Sequence, residues 1–137
     1  NTFQEVKSNA TQPFLIVGKI FKLNNKIYIS DIGSGVHIID NTTPSTPVKE
    51  AFISIYGNRD MAVKGSTMYA DNSTDLIAID ISDIQDVSIS KRIVDVYGDN
   101  NQLYPPSYSG YFECVDDSKG FVVDWIDAEL ENPDCQR

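Results

Sequence analysis

The amino-acid sequence predicts an all-β protein with a propeller-like arrangement of antiparallel four-stranded blades. Three observations predict this fold: a repeat of about forty residues, short apolar runs that alternate with turn residues, and inner strands that are apolar on both faces. The repeat occurs as two full copies and a partial third. A ring with so few blades is incomplete, or it is completed by another subunit or by the remainder of a longer chain.

The repeat is defined by residues 26–48 and 67–87, which align at an offset of about forty. Acidic and apolar residues coincide at five pairs of positions: Asp40 with Asp80, Ile39 with Ile79, Val36 with Leu76, Tyr28 with Tyr69, and Asp31 with Asp71. A degenerate echo at 114–124 again places a glycine and an apolar strand after an acidic turn. Self-similarity at this period is typical of propellers and related repeat architectures.

Each full copy divides into four predicted strands, because β-branched and aromatic runs are separated by Asn, Gly, Ser, Asp and Pro. The predicted strands are 16–22, 26–31, 35–40 and 48–55 in blade 1 (16–55), and 59–64, 67–71, 75–81 and 87–96 in blade 2 (58–96). Asn24-Asn25 and Gly65-Ser66 predict tight hairpins, since Asn and Gly reach positive φ at low cost.

The third strand of each blade is apolar on both faces, at 36–39 and again at 76–79. A strand of this kind needs cover above and below its sheet. Stacking of one sheet between two neighbours supplies that cover, which is the packing of a propeller. Closed propellers use about four to eight blades, more than this chain provides.

Beyond the second blade the chain stops repeating itself. The remaining segments are a Tyr-rich insertion at 97–111, a partial blade at 112–125 and an acidic tail at 126–137. Four tyrosines of the insertion are candidate ligand-binding residues: Tyr97, Tyr104, Tyr108 and Tyr111. Tyrosines beside Asn and Gln can stack on sugar rings or anchor a protein partner. The alternative is that Tyr104 and Tyr108 pack over the end of the sheet as a lid.

Composition excludes some classes of partner. With 41% apolar residues, the 137-residue chain can bury a hydrophobic core. Its net charge of −9 repels nucleic-acid phosphates and anionic lipid surfaces. Because no run of about eighteen apolar residues occurs, this segment is not expected to insert into a membrane.

The segment 28–40, Tyr-Ile-Ser-Asp-Ile-Gly-Ser-Gly-Val-His-Ile-Ile-Asp, followed by Pro-Ser-Thr-Pro-Val at 44–48, resembles the repeat unit of the LVIVD-repeat family. In the second copy Ile84 and Val87 stand in place of the two prolines. The resemblance implies a propeller-like protein of the bacterial cell surface, often a lipoprotein of Bacteroidetes-type bacteria, without assigned activity. It implies export to the cell envelope or outer surface, with any lipid anchor outside the segment given, and it brings no catalytic residues.

The acidic residues of the repeat have two candidate roles. Asp40 and Asp80 end a strand before a turn, where a carboxylate accepts hydrogen bonds from nearby backbone amides, so both are predicted to be structural turn caps. Other acidic turns are either solvated or hold a structural calcium: Asp31, Asp71 with Asp75, and Asp116 with Asp117. We expect no other cofactor, no other metal site and no catalytic residue.

The single histidine and the two cysteines also have alternative interpretations. His37 is predicted to be a strand residue, because a general base needs a partner and no nucleophile motif accompanies it. Cys114 and Cys135 either form a disulfide, or Cys114 is a buried thiol that acts as a small apolar side chain.

The sequence therefore predicts a non-catalytic binding or structural module whose partner is a protein or a glycan at the cell surface. Two alternatives stay open. The first is a subunit or fragment of a glycan-processing propeller enzyme that uses pairs of carboxylates. The second is a self-associating element in which exposed blade edges pair with another copy, giving a homo-oligomer.

Overall fold

The computed structural model describes residues 5–97, 105, 107–119, 122 and 124–137. The chain is divided into two units, Asn1–Gly98 and Asp99–Arg137. The described residues form antiparallel β-sheets, as the sequence predicts, together with a short 3-10 helix at Asp117–Lys119. No helix within the described ranges is long and apolar enough to cross a membrane.

The first unit consists of two sheets that repeat one design. The strands are β1 (Lys7–Asn9), β2 (Val17–Leu23), β3 (Lys26–Asp31), β4 (Gly35–Asp40), β5 (Val48–Ser54), β6 (Met61–Lys64), β7 (Thr67–Asn72), β8 (Asp75–Asp80) and β9 (Ser88–Ile93). Sheet 1 has the order β1-β5-β4-β3-β2, and sheet 2 has the order β6-β7-β8-β9. Each therefore contains an up-and-down run of four strands consecutive in sequence.

The predicted strands agree with the observed ones to within about two residues except at the end of β9. We predicted that strand to run to residue 96, but it ends at Ile93 and a turn follows. Asp95 in that turn has a positive φ of 56°, and its N–H donates to Asp75 Oδ1 at 3.0 Å. A residue in this backbone conformation cannot continue a strand, so the ladder stops before it.

Strand β1 was not predicted, because Lys7-Ser8-Asn9 is polar and lacks β-branched residues. It pairs with the outer edge of β5, where Lys7 lies opposite Ser54 and Asn9 opposite Phe52. The Ser8 hydroxyl donates to Ile84 O at 2.8 Å and accepts from Val87 N–H at 3.2 Å. Side-chain bonds to the loop of sheet 2, rather than apolar patterning, thus hold this strand and join the two sheets.

The two sheets are equivalent in register. A β-bulge interrupts the ladder between Ile38 and Ile39 in sheet 1, and another does so between Ala78 and Ile79 in sheet 2, forty residues later. The β7–β8 turn is one residue shorter than the β3–β4 turn, so the ladder places Asn72, and not Asp71, at the position of Asp31. The sequence alignment of Asp31 with Asp71 is therefore shifted by one residue.

The hydrophobic core lies between the two sheets. We call the side of sheet 1 that carries Tyr28, Val36, Ile38 and Ile53 its front face, and all four residues are buried. They pack in one cluster with residues on the opposite side of sheet 2, its back face: Met61, Val63, Met68, Ala70, Ile77 and Ile79. The edge strands β2 and β6 also contact each other. The front face of one sheet thus covers the back face of the next.

The back face of sheet 1 is covered in a different way. The ring of Phe14 lies 4.4 Å from the ring of His37, which lies 4.8 Å from that of Phe52 on its other side. The ammonium of Lys49 lies 3.8 Å from the centre of the Phe14 ring. The segment before β2 therefore covers the β4–β5 half of this face, and β4 is buried on both sides as its composition predicts.

The second unit contains the two-stranded sheet of β10 (Tyr111–Phe112) and β11 (Cys135–Gln136). A disulfide joins Cys114 to Cys135, and Phe112 packs edge-on against Trp125. Within the predicted partial blade, 112–125, Phe112 is the one described residue in a strand, and Asp117–Lys119 form a 3-10 turn instead. Asp116 Oδ1 accepts the Ser118 N–H at 3.0 Å, which favours this turn over an extended chain.

Candidate functional site

The aspartates at the ends of β4 and β8 hold the turns that follow them. Asp40 Oδ1 accepts the Thr42 N–H at 2.9 Å and the Thr42 hydroxyl at 2.5 Å. Asp80 Oδ1 accepts the Ser82 N–H at 2.9 Å. Hydrogen bonds from Thr42 and from Ser82 lower the pKa of the respective carboxyl groups. Both carboxylates are thus engaged with the backbone, in the geometry expected of turn caps.

Asp31 binds the segment that leads into β2, and Asp71 binds the segment that leads into β6. Asp31 accepts the N–H groups of Leu15 and Ile16 at 2.9 and 2.8 Å. Asp71 Oδ1 accepts the N–H groups of Arg59 and Asp60 at 2.8 and 2.9 Å. Each carboxylate thus accepts two backbone N–H groups from the segment before a strand, although the two residues are not at equivalent positions in the strand pairing.

For the other acidic turns, the sequence leaves open whether the carboxylates are solvated or hold a structural calcium. Asp75 binds Arg92 through Oδ2 at 2.7 Å, and Asp116 Oδ1 accepts both the Ser118 N–H and its hydroxyl. In the part of the chain that the structure describes, no three His, Cys, Asp or Glu residues are grouped to hold a metal ion. A structural calcium stays a prediction.

Asp31 also forms a buried pair with His37. The His37 Nε2–H donates to Asp31 Oδ2 at 2.8 Å, and both side chains are almost fully buried. Burial raises the pKa of Asp31, but hydrogen bonds from His37, Ile16 and Leu15 and the charge of His37 outweigh burial and hold that pKa below its usual range. Phe14 and Phe52 contact the imidazole, so the pair is shielded from solvent and positions the segment before β2.

Sequence reasoning missed this pair because His37 was considered without a partner. A hairpin that turns at residues 32–34 places Asp31 opposite Gly35, so that His37, two residues further, lies on the same face. The strand register that follows from a three-residue turn would therefore have predicted this pair.

The four candidate tyrosines do not form one cluster. Tyr97 belongs to the first unit, where its N–H donates to Thr74 O at 3.1 Å. Burial, and then the carboxylates of Asp71 and Asp60, raise the pKa of its hydroxyl. Tyr104 lies outside the described residues. Tyr108 and Tyr111 belong to the second unit, where the Tyr108 hydroxyl donates to Tyr111 O at 3.3 Å.

Tyr108 and Tyr111 are exposed and are held near the disulfide. Tyr111 is 55% exposed and lies in β10, opposite Gln136. Reciprocal backbone hydrogen bonds of 3.0 Å between Gly110 and Arg137 extend this pairing. The Cys114–Cys135 disulfide crosslinks the two chain segments that form this strand pair. The two aromatic rings therefore lie outside the disulfide loop, on a segment that is held by its pairing with the crosslinked strand β11, which lowers the entropic cost of using them in binding.

A second candidate site is a cleft of about 330 Å³ in the first unit. It lies between the β2–β3 turn at Asn24-Asn25, the β6–β7 turn at Gly65-Ser66, and the loop that follows β8. The buried ring of Tyr28 forms part of its wall, and burial raises the pKa of the Tyr28 hydroxyl. Sequence reasoning did not identify this cleft, because the two turns meet only through packing of the sheets.

Removal of the disulfide should unfold the second unit selectively. With Cys114→Ser and Cys135→Ser together, we expect its free energy of unfolding to fall by about 3 kcal/mol, since the bond closes a loop spanning 21 positions. A unit of this size cannot bury a large core without such a crosslink. Trp125 is the one tryptophan of the chain, so its fluorescence during urea titration reports on this unit alone.

The first unit is the internal control, because its β-sheet circular dichroism should persist when Trp125 has become solvent-exposed. A tryptophan transition at the same urea concentration in the serine variant and the oxidised protein would contradict a stabilising disulfide.

The chain matches no protein-family model, no curated protein and no solved structure.

Proposed function

We propose that this chain is a non-catalytic recognition module of an exported bacterial cell-envelope protein, built from propeller-like blades. The exposed pair of Tyr108 and Tyr111, held beside the disulfide-crosslinked strand β11, is the observation that carries the proposal. In this proposal the sheets of the first unit are scaffold, and the aromatic surface of the second unit binds a partner.

Three features support propeller-like blades. Sheets 1 and 2 contain equivalent four-stranded meanders with a bulge at the same position. The front face of sheet 1 packs on the back face of sheet 2, and the first strands of the two meanders, β2 and β6, are in contact. In a propeller, the front face of each blade packs on the back face of the next, and the first strands of the blades surround the central channel.

The cellular location is supported by the disulfide and by the sequence resemblance. Disulfides persist mainly in oxidising compartments, such as the periplasm and the cell surface. The Cys114–Cys135 bond fits that environment. The resemblance to LVIVD-repeat proteins favours the envelope of a bacterium, where an anchor outside this segment would hold the module.

The chemistry of the second unit favours a basic protein as the partner. Residues 99–137 carry nine Asp and Glu but only two Lys and Arg, so most of the net negative charge of the chain lies there. An acidic surface attracts a basic one and repels anionic ligands. Exposed tyrosines supply the aromatic anchors that dominate binding energy in protein interfaces.

The test is a binding screen with the full, oxidised chain, using an envelope extract, a panel of basic and neutral proteins, and a glycan array. We expect a basic protein ligand whose affinity falls at least about tenfold with Tyr108→Ala or Tyr111→Ala, the size of effect that defines an interface anchor. The affinity should also weaken as salt is raised.

Tyr111→Phe is the matched control, because it keeps the ring and should bind almost as the native chain does. A glycan ligand with no salt dependence would replace the proposed partner class. Blank screens, or equal binding by the two alanine variants, would refute the recognition surface.

A further inference from the structure

The front face of sheet 2 repeats four apolar positions of a buried face but is only partly covered, since Leu76 and Ala78 are half-buried and their neighbours are exposed. On this face Tyr69 pairs with Ala78, and Leu76 pairs with Ile93. At the equivalent positions on sheet 1, Tyr28 pairs with Ile38, and Val36 pairs with Ile53. Tyr28 is 4% exposed and the other three are fully buried, whereas Tyr69 is 44% and Ile93 is 47% exposed. These four apolar positions of the buried face are apolar again on sheet 2, while Lys91 takes the place of Ala51 at its rim.

The structure already contains the kind of surface that covers such a face. The front face of sheet 1 packs against the back face of sheet 2, which is formed by Met, Val, Ala and Ile side chains. A surface that covers the front face of sheet 2 in the same manner is therefore the back face of another sheet of this repeat.

The chain also carries an exposed back face on sheet 1. Phe14 covers the β4–β5 half of that face, but the β2–β3 half remains open. Ile20 lies there opposite Ile29 and is 62% exposed, and Leu15 and Val17 nearby are exposed as well. Each copy thus presents the front face of sheet 2 and the β2–β3 half of the back face of sheet 1, which correspond in part to the two surfaces that pack together between its own sheets.

We infer that a second copy of this chain packs the back face of its sheet 1 on the front face of sheet 2, so that copies associate head to tail. An interface between two different surfaces of one molecule continues until it closes a ring. Because each copy supplies two sheets and closed propellers contain about four to eight blades, closure requires roughly two to four copies.

The first measurement is the mass of the full, oxidised chain by light scattering over a series of concentrations. We expect a discrete oligomer of roughly two to four copies. A chain that stays monomeric at high concentration overturns the inference.

The second measurement separates head-to-tail association from symmetric pairing. Ile93→Lys alters the front face and Ile20→Lys the back face, and each variant alone should be monomeric, with a dissociation constant raised at least about 100-fold. An equimolar mixture should form a dimer and nothing larger, because the intact front face of Ile20→Lys accepts the intact back face of Ile93→Lys.

The mixture also shows that both variants fold, and Tyr69→Lys provides a second front-face variant with the same expected behaviour. Ile126→Lys is the matched control, since it adds the same charge at an exposed isoleucine of the second unit and should leave the oligomer intact. Self-association of Ile20→Lys alone, or failure of two folded variants to pair, would show that the two faces do not recognise each other.

Discussion

Gly35→Ala should destabilise the first unit by about 4 kcal/mol, among the largest single effects expected in this chain. Gly35 begins β4, where it lies opposite Asp31 on one side and Ser54 on the other. Its φ is +151°, and a Cβ atom placed on it would lie 2.0 Å from the carbonyl oxygen of Ile53. Because that oxygen belongs to the backbone, relief of the clash would require β4 and β5 to separate.

Gly33→Ala separates this steric effect from the cost of the backbone conformation. Gly33 also has a positive φ, of +83°, but a Cβ atom there would meet no atom within 4 Å. We expect this control to cost about 1 kcal/mol, the penalty of a left-handed conformation for alanine. Urea unfolding followed by circular dichroism compares the two, and equal losses would show that the contact with Ile53 O does not matter.

The sequence was informative about the sheets because their pattern is local. Alternation of apolar runs with turn residues identifies β2 to β9 to within a few residues, and the offset of forty relates the two sheets. The ladder also explains the one-residue error at Asp31, since the turn after β7 is one residue shorter and makes Asn72, not Asp71, the equivalent of Asp31.

The features that the sequence could not predict depend on contacts between distant segments. Strand β1 is polar and is held by bonds from Ser8 to a loop more than seventy residues away. The cover that Phe14 gives to His37 depends on the path of the chain before β2. The position of Tyr111 opposite Gln136 likewise depends on pairing between two segments that are far apart in the chain.

Asp31→Asn should cost about 3 kcal/mol of stability at neutral pH, because it leaves a buried hydrogen-bond donor without an acceptor. Both carboxylate oxygens are in use, Oδ1 by Ile16 N–H, and Oδ2 by Leu15 N–H and His37 Nε2–H. Asparagine has one acceptor oxygen, so its amide nitrogen must face one of these donors in a buried site.

Asp71→Asn is the matched control for this substitution. Every hydrogen bond from Asn58, Arg59 and Asp60 to the Asp71 side chain ends on Oδ1 alone. The single carbonyl oxygen of asparagine can take that place, so we expect a loss below about 1 kcal/mol, since none of the three donors is left unpaired. If Asp71→Asn is as destabilising as Asp31→Asn, the loss comes from charge and not from the number of acceptor oxygens.

The effect of Asp31→Asn should also depend on pH. The pKa of Asp31 is lower in the folded chain than in an unfolded one, where it is about 3.9. The stabilisation from this carboxylate is therefore fully present above that unfolded value and is lost as the pH falls through the lower, folded value. Urea titrations from neutral pH to pH 2 should show the stability difference between native and Asp31→Asn chains shrinking in acid. A difference that stays constant over that range would show that ionised Asp31 does not contribute through its hydrogen bonds.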